Sequence, residues 1–347
     1  MGRRNGSFIG KKNIGVGVTN NASGIWGLND SQRVMGPDNS SALKSKIEIK
    51  YLLVGGGGGG AGAEYANIRG GGGGAGGMLE GTFTCNHGDT INLTVGNGGP
   101  GGYEESPGSD GNNSEISKAG SSPIKAFGGG GGQGYNDFSP PSTKWGASGG
   151  GLGFSRSNPG STVISGYMNQ GHPGGWMDTS PPQVSYQKSA SGGGGAGGKG
   201  GDASPIAAGD GGVGKISYIT GSGVYYAGGG GGGAKNGHTR GDGGNGGGGN
   251  GGLAPGSTTP GVQAGSAGQD NTGGGGGGAA CGTNATNPNP ASGGNGGKGI
   301  IILRYPTSVG WSGGSGLSSA GNTPIPGTDE RYVKFTNGNG QITIVVS

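Results

Sequence analysis

Cysteine and histidine are scarce in this chain, with two of the former and three of the latter in 347 residues. Cys85 and Cys281 are too few and too far apart in sequence to form a disulfide framework, and sequence leaves their pairing open. His87, His172 and His238 stand near no Ser or Cys in a recognisable nucleophile motif, so catalysis has no visible constellation. Charge is sparse as well: 12% of residues are charged and the net charge is +4. With no Lys/Arg cluster in the body of the chain, a nucleic-acid partner has no electrostatic footing. No apolar run reaches the roughly 18 residues of a membrane span, and no leader-like apolar segment follows the N-terminus. Membrane insertion is therefore not expected.

Several small motifs test for chemistry and give little. Cys85, His87 and Asp89 lie two apart, as metal ligands can, but two of the three sit in a Gly-containing turn with no second ligand cluster. GDGGVGKI (209–216) and GGGAGGKG (193–200) fit the spacing of a phosphate loop. Both lack the Ser/Thr that would hold Mg²⁺, and neither opens a helix. Arg240-Gly241-Asp242 spells an integrin tripeptide that chance readily produces in a Gly-rich loop. The expectation is a protein that is not an enzyme and needs no cofactor or metal.

What the chain has in abundance is glycine. With 102 glycines and 18 prolines, these two residues make up about 35% of the sequence, a level that without a period reads as low-complexity or disordered. The stretch KIEIKYLLVGGGGGG (46–60) argues otherwise. Ile47, Ile49, Tyr51 and Leu53 alternate with charged residues as a half-buried strand does, and the strand then runs directly into six glycines. The same device returns in YYAGGGGGG (225–233) and DNTGGGGGG (270–278). Collagen requires an unbroken Gly-X-Y frame, and flexible linkers lack flanking apolar strands. Bundled polyglycine II threads remain: extended left-handed helices with three residues per turn and no internal hydrogen bonds. Their N–H and C=O groups must then be satisfied by neighbouring threads, and six residues make a slab of about 19 Å.

In chain order, residues 1–44 read as a compact attachment module around Trp26 and Leu28. Residues 45–306 read as one domain of strands and threads. Within it, Leu79–Cys85 and Thr90–Val95 are expected strands, and Ile300–Leu303 should sit centrally in the sheet. Aromatics and prolines gather between 103 and 190, which marks loops, and loops of this kind often bind. The binding candidates are Tyr135, Phe138, Trp145, Tyr167, His172, Trp176 and Tyr186, with packing between threads as the competing reading. Residues 307–323 read as a Ser/Gly linker. Residues 324–347 read as a β-hairpin turning at Asn337-Gly338-Asn339-Gly340.

The phrases YLLVGGGGGGAGAE, GDTINLTVGNGGPGG, ITGSGVYYAGGGGGG, NTGGGGGG and GKGIIILRYP together resemble the glycine-rich domain family common in bacteriophage tail proteins. The resemblance covers roughly 44–306. It implies an all-β fold: a small, jelly-roll-like β-sandwich with an inserted bundle of polyglycine II helices. It further implies a virion protein, a tail fibre or receptor-binding adhesin, acting outside the cell. The expected partners are itself as a homotrimer, other virion or tail proteins through the N-terminal module, and a host surface glycan or outer-membrane protein. The alternative is a purely structural fibre or capsid-decoration protein. Whether the C-terminal strands pair with the domain's own sheet or with a symmetry mate stays open.

Overall fold

A computed structural model describes residues 46–64, 68–134, 146–153, 169–177, 189–254, 262–281 and 290–346. The chain divides into two compact units, Met1–Ile47 and Glu48–Ser347. Trp26, Leu28 and almost all of the first unit lie outside the described residues.

The described residues contain strands and no helix, so the protein is all-β. In order, the strands are β1 (Ile47–Val54), β2 (Met78–Cys85), β3 (Thr90–Thr94), β4 (Ser114–Lys118), β5 (Ile124–Ala126), β6 (Lys215–Ser217) and β7 (Val224–Tyr226). They continue with β8 (Val262–Gln263), β9 (Ala280–Cys281), β10 (Ile300–Pro306), β11 (Val309–Gly313), β12 (Leu317–Pro324) and β13 (Glu330–Val346). The main sheet runs β2-β1-β10-β13-β3-β4-β5, with β11 and β12 also paired to β13. Its two ends come back toward each other, and the Lys118 ammonium on β4 donates to the Thr84 carbonyl on β2 at 3.0 Å. β10 lies between β1 and β13 with Ile300, Ile301, Ile302 and Leu303 all buried, so this unbroken apolar run does take the centre of the sheet.

β13 is the strand on which the sandwich turns. Its first half pairs with β10, Phe335 opposite Ile301 and Val333 opposite Leu303. Its second half pairs with β3, where Ile342 faces Ile91. The expected Asn-Gly hairpin does not form. Residues on either side of Asn337–Gly340 find different partners instead of each other, and the chain bends there through Gly338 at φ +88°. The expected linker is also corrected. Residues 309–324 hold β11 and β12, paired along β13, and the turn between them uses Gly313, Gly314 and Gly316 at φ +87°. Ser and Gly serve here as edge-strand and turn residues. It follows that 306 is not a domain boundary, because the strands beyond it complete the domain's own sheet. The two halves meet through side chains, with the Trp311 and Phe335 rings 5.4 Å apart and tilted by 59°.

The threads emerge from the strand ends. Thread 55–63 continues β1 and sets the pattern. Its N–H groups at 55, 58 and 61 donate to the carbonyls of Gly77, Gly74 and Gly71. Those at 56, 59 and 62 donate to Asn112, Ser109 and Ser106. Those at 57, 60 and 63 donate to Gly297, Gly294 and Ala291, all nine bonds measuring 2.8–3.0 Å. Its carbonyls receive N–H groups from three further threads: Gly129 and Gly132, Gly99 and Gly102, Gly276 and Ala279. Every third residue thus points the same way, six neighbours surround one thread, and the three-residue turn of polyglycine II is read directly from the bonding. A Cβ on Gly58 would fall well under 3.0 Å from the Gly130 carbonyl oxygen, and one on Gly73 would meet the carbonyl of Gly58 just as closely. Only a hydrogen fits.

Candidate functional site

The bundle has two ends. One is fused to the sandwich, where Leu52, Val54, Ile300 and Ile302 pack on Ala75, Met78, Ile219 and Tyr226. The other is capped by two small apolar clusters, Ala63/Ile68/Ala279/Cys281/Ala291 and Leu152/Met177/Ala203. Glu64, Gly134, Gly153, Met177, Ala254 and Cys281 all lie at this far end, and the residue that follows each of them in sequence is outside the described residues. Gly146 lies against Gly130, and the side-chain oxygen of Gln170 accepts the Phe127 N–H beside the sandwich.

Five of the seven expected binding residues, Tyr135, Phe138, Trp145, Tyr167 and Tyr186, lie outside the described residues. His172 and Trp176 are described. Both side chains are exposed, on the thread that runs from Gln170 to Met177. Four residues on a three-residue turn place them about 12 Å apart along the axis and a third of a turn apart around it. The structure does not bring these two together. The Trp176 N–H donates to Asp202, which also holds the Lys199 ammonium at 2.7 Å. Burial pushes the Asp202 carboxyl up, but the hydrogen bonds from Lys199 and Trp176 and the Lys199 charge bring it below its ordinary value.

Polar groups collect inside the far end. Arg69 is 1% exposed, and its Nε has no hydrogen-bond partner. Burial lowers its pKa to about 10, with Cys281 acting the other way. His238 is held below its usual value by burial and by the Lys235 and Arg69 charges, and its Nδ1 lies 3.2 Å from the Ser189 hydroxyl. The Cys281 thiol donates to the Glu64 carbonyl at 3.1 Å. Cys85 sits on β2 in the sandwich, and no disulfide joins it to Cys281. Burial raises Cys85 to about 11 against the Lys118 charge, with Asp89 adding to the rise. Around it, Asp89 accepts the Asn86 N–H and pairs with Lys118, while His87 accepts the Val346 N–H. These residues act together as a turn, and among the described residues no group of three ligand side chains is placed to hold a metal.

A second aromatic surface escaped the sequence reading. β6 and β7 form a hairpin with Ile216 opposite Tyr225. Strand alternation puts Tyr218 on the same face, beside Gly223, where a Cβ would strike Ile216 and crowd the Tyr218 ring. Tyr218 is 64% exposed and Tyr225 45%. Their neighbour Tyr226 is buried at the bundle entrance. That contrast was available in sequence: a tyrosine adjoining the glycine run must enter the core, so the one before it must face out.

The glycine-rich sequence that builds the bundle matches a known family. A family model described as a glycine-rich domain fits residues 38–306. The chain belongs to the glycine-rich domain family. No curated protein matches it. The family match ends on the last residue of β10, whereas the fold of this glycine-rich domain also needs β11, β12 and β13. No helix among the described residues is long and apolar enough to cross a membrane.

Proposed function

We propose that this protein is a bacteriophage virion component, a tail fibre or receptor-binding adhesin, which contacts a host surface glycan or outer-membrane protein from the far end of its bundle. The observation that carries the reading is that Gly134, Gly153 and Met177 lie together at one end of the bundle, and each is followed in sequence by one of the aromatic-containing segments 135–145, 154–168 and 178–188. Tyr and Trp offer large, stiff contact area at low entropic cost. A homotrimer would multiply weak single contacts into avidity, with residues 1–44 as the attachment to other virion proteins. The exposed Tyr218 and Tyr225 face is a further contact surface of the same chemistry.

The test is binding of labelled protein to a panel of candidate host cells. It is set beside a variant with Tyr135, Phe138, Trp145, Tyr167 and Tyr186 changed to Ser. Deleting the whole 135–186 region is unsuitable, since threads 146–153 and 170–177 are part of the bundle. Saturable binding that is lost in a variant of unchanged oligomeric state supports the adhesin. No binding by well-folded protein to any strain favours the structural fibre or decoration protein. The continuous backbone bonding of the bundle already suits that second role.

A further inference from the structure

Threads on the outside of the bundle raise a physical problem. A polyglycine lattice has no built-in edge, and any thread with fewer than six neighbours presents unpaired N–H and C=O groups, the hazard that exposed edge strands carry in sheets. Thread 291–299 has four neighbours. Its outward residues are Ser292, Asn295 and Lys298, spaced by three, with every residue between them a glycine and all of those glycines buried. The adjacent thread 95–102 repeats this with Asn97 and Pro100, both exposed.

Side chains at this boundary do two things. First, their oxygens replace the carbonyls of the missing thread. Asn295 accepts the Gly101 N–H, Asp270 accepts the Lys298 N–H, and Asp110 accepts the Gly131 N–H, at 2.7–3.0 Å. Pro100 removes the need for an acceptor by having no N–H at all, while its fixed φ suits the thread. Second, each outward Cβ occupies the space that an approaching backbone would need. Inside the bundle a Cβ on Gly57, Gly276 or Gly277 would fall well under 3.0 Å from the carbonyl oxygen of a neighbouring thread.

We propose that the flank formed by 95–102, 291–299 and 264–270 is a lattice face that, with glycine at its outward positions, would pair with the same face of a second copy of this chain, and that side chains at every third residue hold it closed. The groove over thread 291–299, about 470 Å³ and lined by Asn97, Pro100, Asp270, Asn295 and Lys298, is where the second copy's thread would lie. This inference does not depend on the virion reading.

The experiment compares two quadruple variants by sedimentation: N97G/P100G/N295G/K298G and N97A/P100A/N295A/K298A. The glycine set opens the face, and its weight-average mass at least doubles over that of the wild type as concentration rises. The alanine set loses the same polarity and charge but keeps the Cβ atoms, and stays at the wild-type mass. Equal association of both sets would mean lost solubility and would overturn the proposal, as would a folded glycine set at wild-type mass. Should the glycine set fail to fold, hydrogen exchange on the wild type decides. Ser292 and Asn295 amides must exchange at least a hundredfold faster than those of Gly294 and Gly296, and equal protection of all four would refute an open face.

Discussion

The sandwich and the bundle share one chain but are held together by opposite means. In the sandwich, Leu53, Ile301, Phe335, Ile91 and Ile342 bury side chains, and the stabilisation scales with apolar area removed from water. In the bundle, thread 55–60 has no side chains to bury, and its backbone groups are satisfied by six neighbours. Glycine loses more conformational freedom on folding than any other residue, so this order survives only because every thread is bonded on several sides at once. A side-chain core fails when atoms are removed. A backbone core fails when they are added.

That contrast can be broken from either side. The largest effect expected is in the sandwich, where Phe335→Ala should cost about 3–5 kcal/mol in chemical denaturation, since the ring is fully buried against Trp311. Next, Gly58→Ala should cost about 3 kcal/mol, the upper part of the overpacking range. At an unstrained site the same exchange would add about 0.4–1 kcal/mol of stability, so a neutral or stabilising result at Gly58 would break the comparison. Asp110→Ala, which orphans the Gly131 N–H at the bundle boundary, should cost about 1 kcal/mol.

The smallest effect separates the regions by pH. Glu330 on β13 accepts from Lys50 at 2.9 Å and from Arg304 Nε at 2.8 Å. Partial burial pushes its carboxyl up, but the hydrogen bonds and charges of Lys50 and Arg304 leave it below its ordinary value. A depressed folded pKa contributes stability above the unfolded value, about 4.3 for Glu, and loses it as pH falls through the folded value. Glu330→Gln should therefore be less stable than wild type at pH 7 by under about 1 kcal/mol. The difference should close in acid. Gly58→Ala should show no such closure, because no titrating group is involved.

Much of this architecture is legible in the sequence, at different depths. The strand entering glycine at Val54-Gly55 and the unbroken Ile300–Leu303 run announce strand, thread and centre of sheet. A finer signal lies in the triplets. Runs of glycine alone, such as 55–60, 70–74 and 228–233, are the enclosed threads. Two glycines in three, as at 293–299 with Asn295 and Lys298, mark threads with one open side. One in three, as at Gly265 and Gly268, marks a thread at the corner. Which thread lies beside which is not legible, because glycine runs carry no side chains to distinguish one neighbour from another. The Asn337–Gly340 segment misleads for a related reason. Local turn chemistry favours a hairpin there, and it is overridden by the pairing of each flank with a distant strand, β10 or β3. As for the binding candidates, the sequence finds aromatic-rich segments but misses Tyr218 and Tyr225, whose exposure depends on where the core begins.

The three-residue turn also governs which changes in length this protein can absorb. Inserting one residue within a thread rotates everything after it by a third of a turn. That would swing Asn295 or Lys298 inward against a neighbouring backbone and carry a glycine to the outside. Whole triplets preserve the facing of every residue and shift the chain only along its own axis, by about 9 Å. Length variation among relatives of this domain should therefore come in threes inside the bundle.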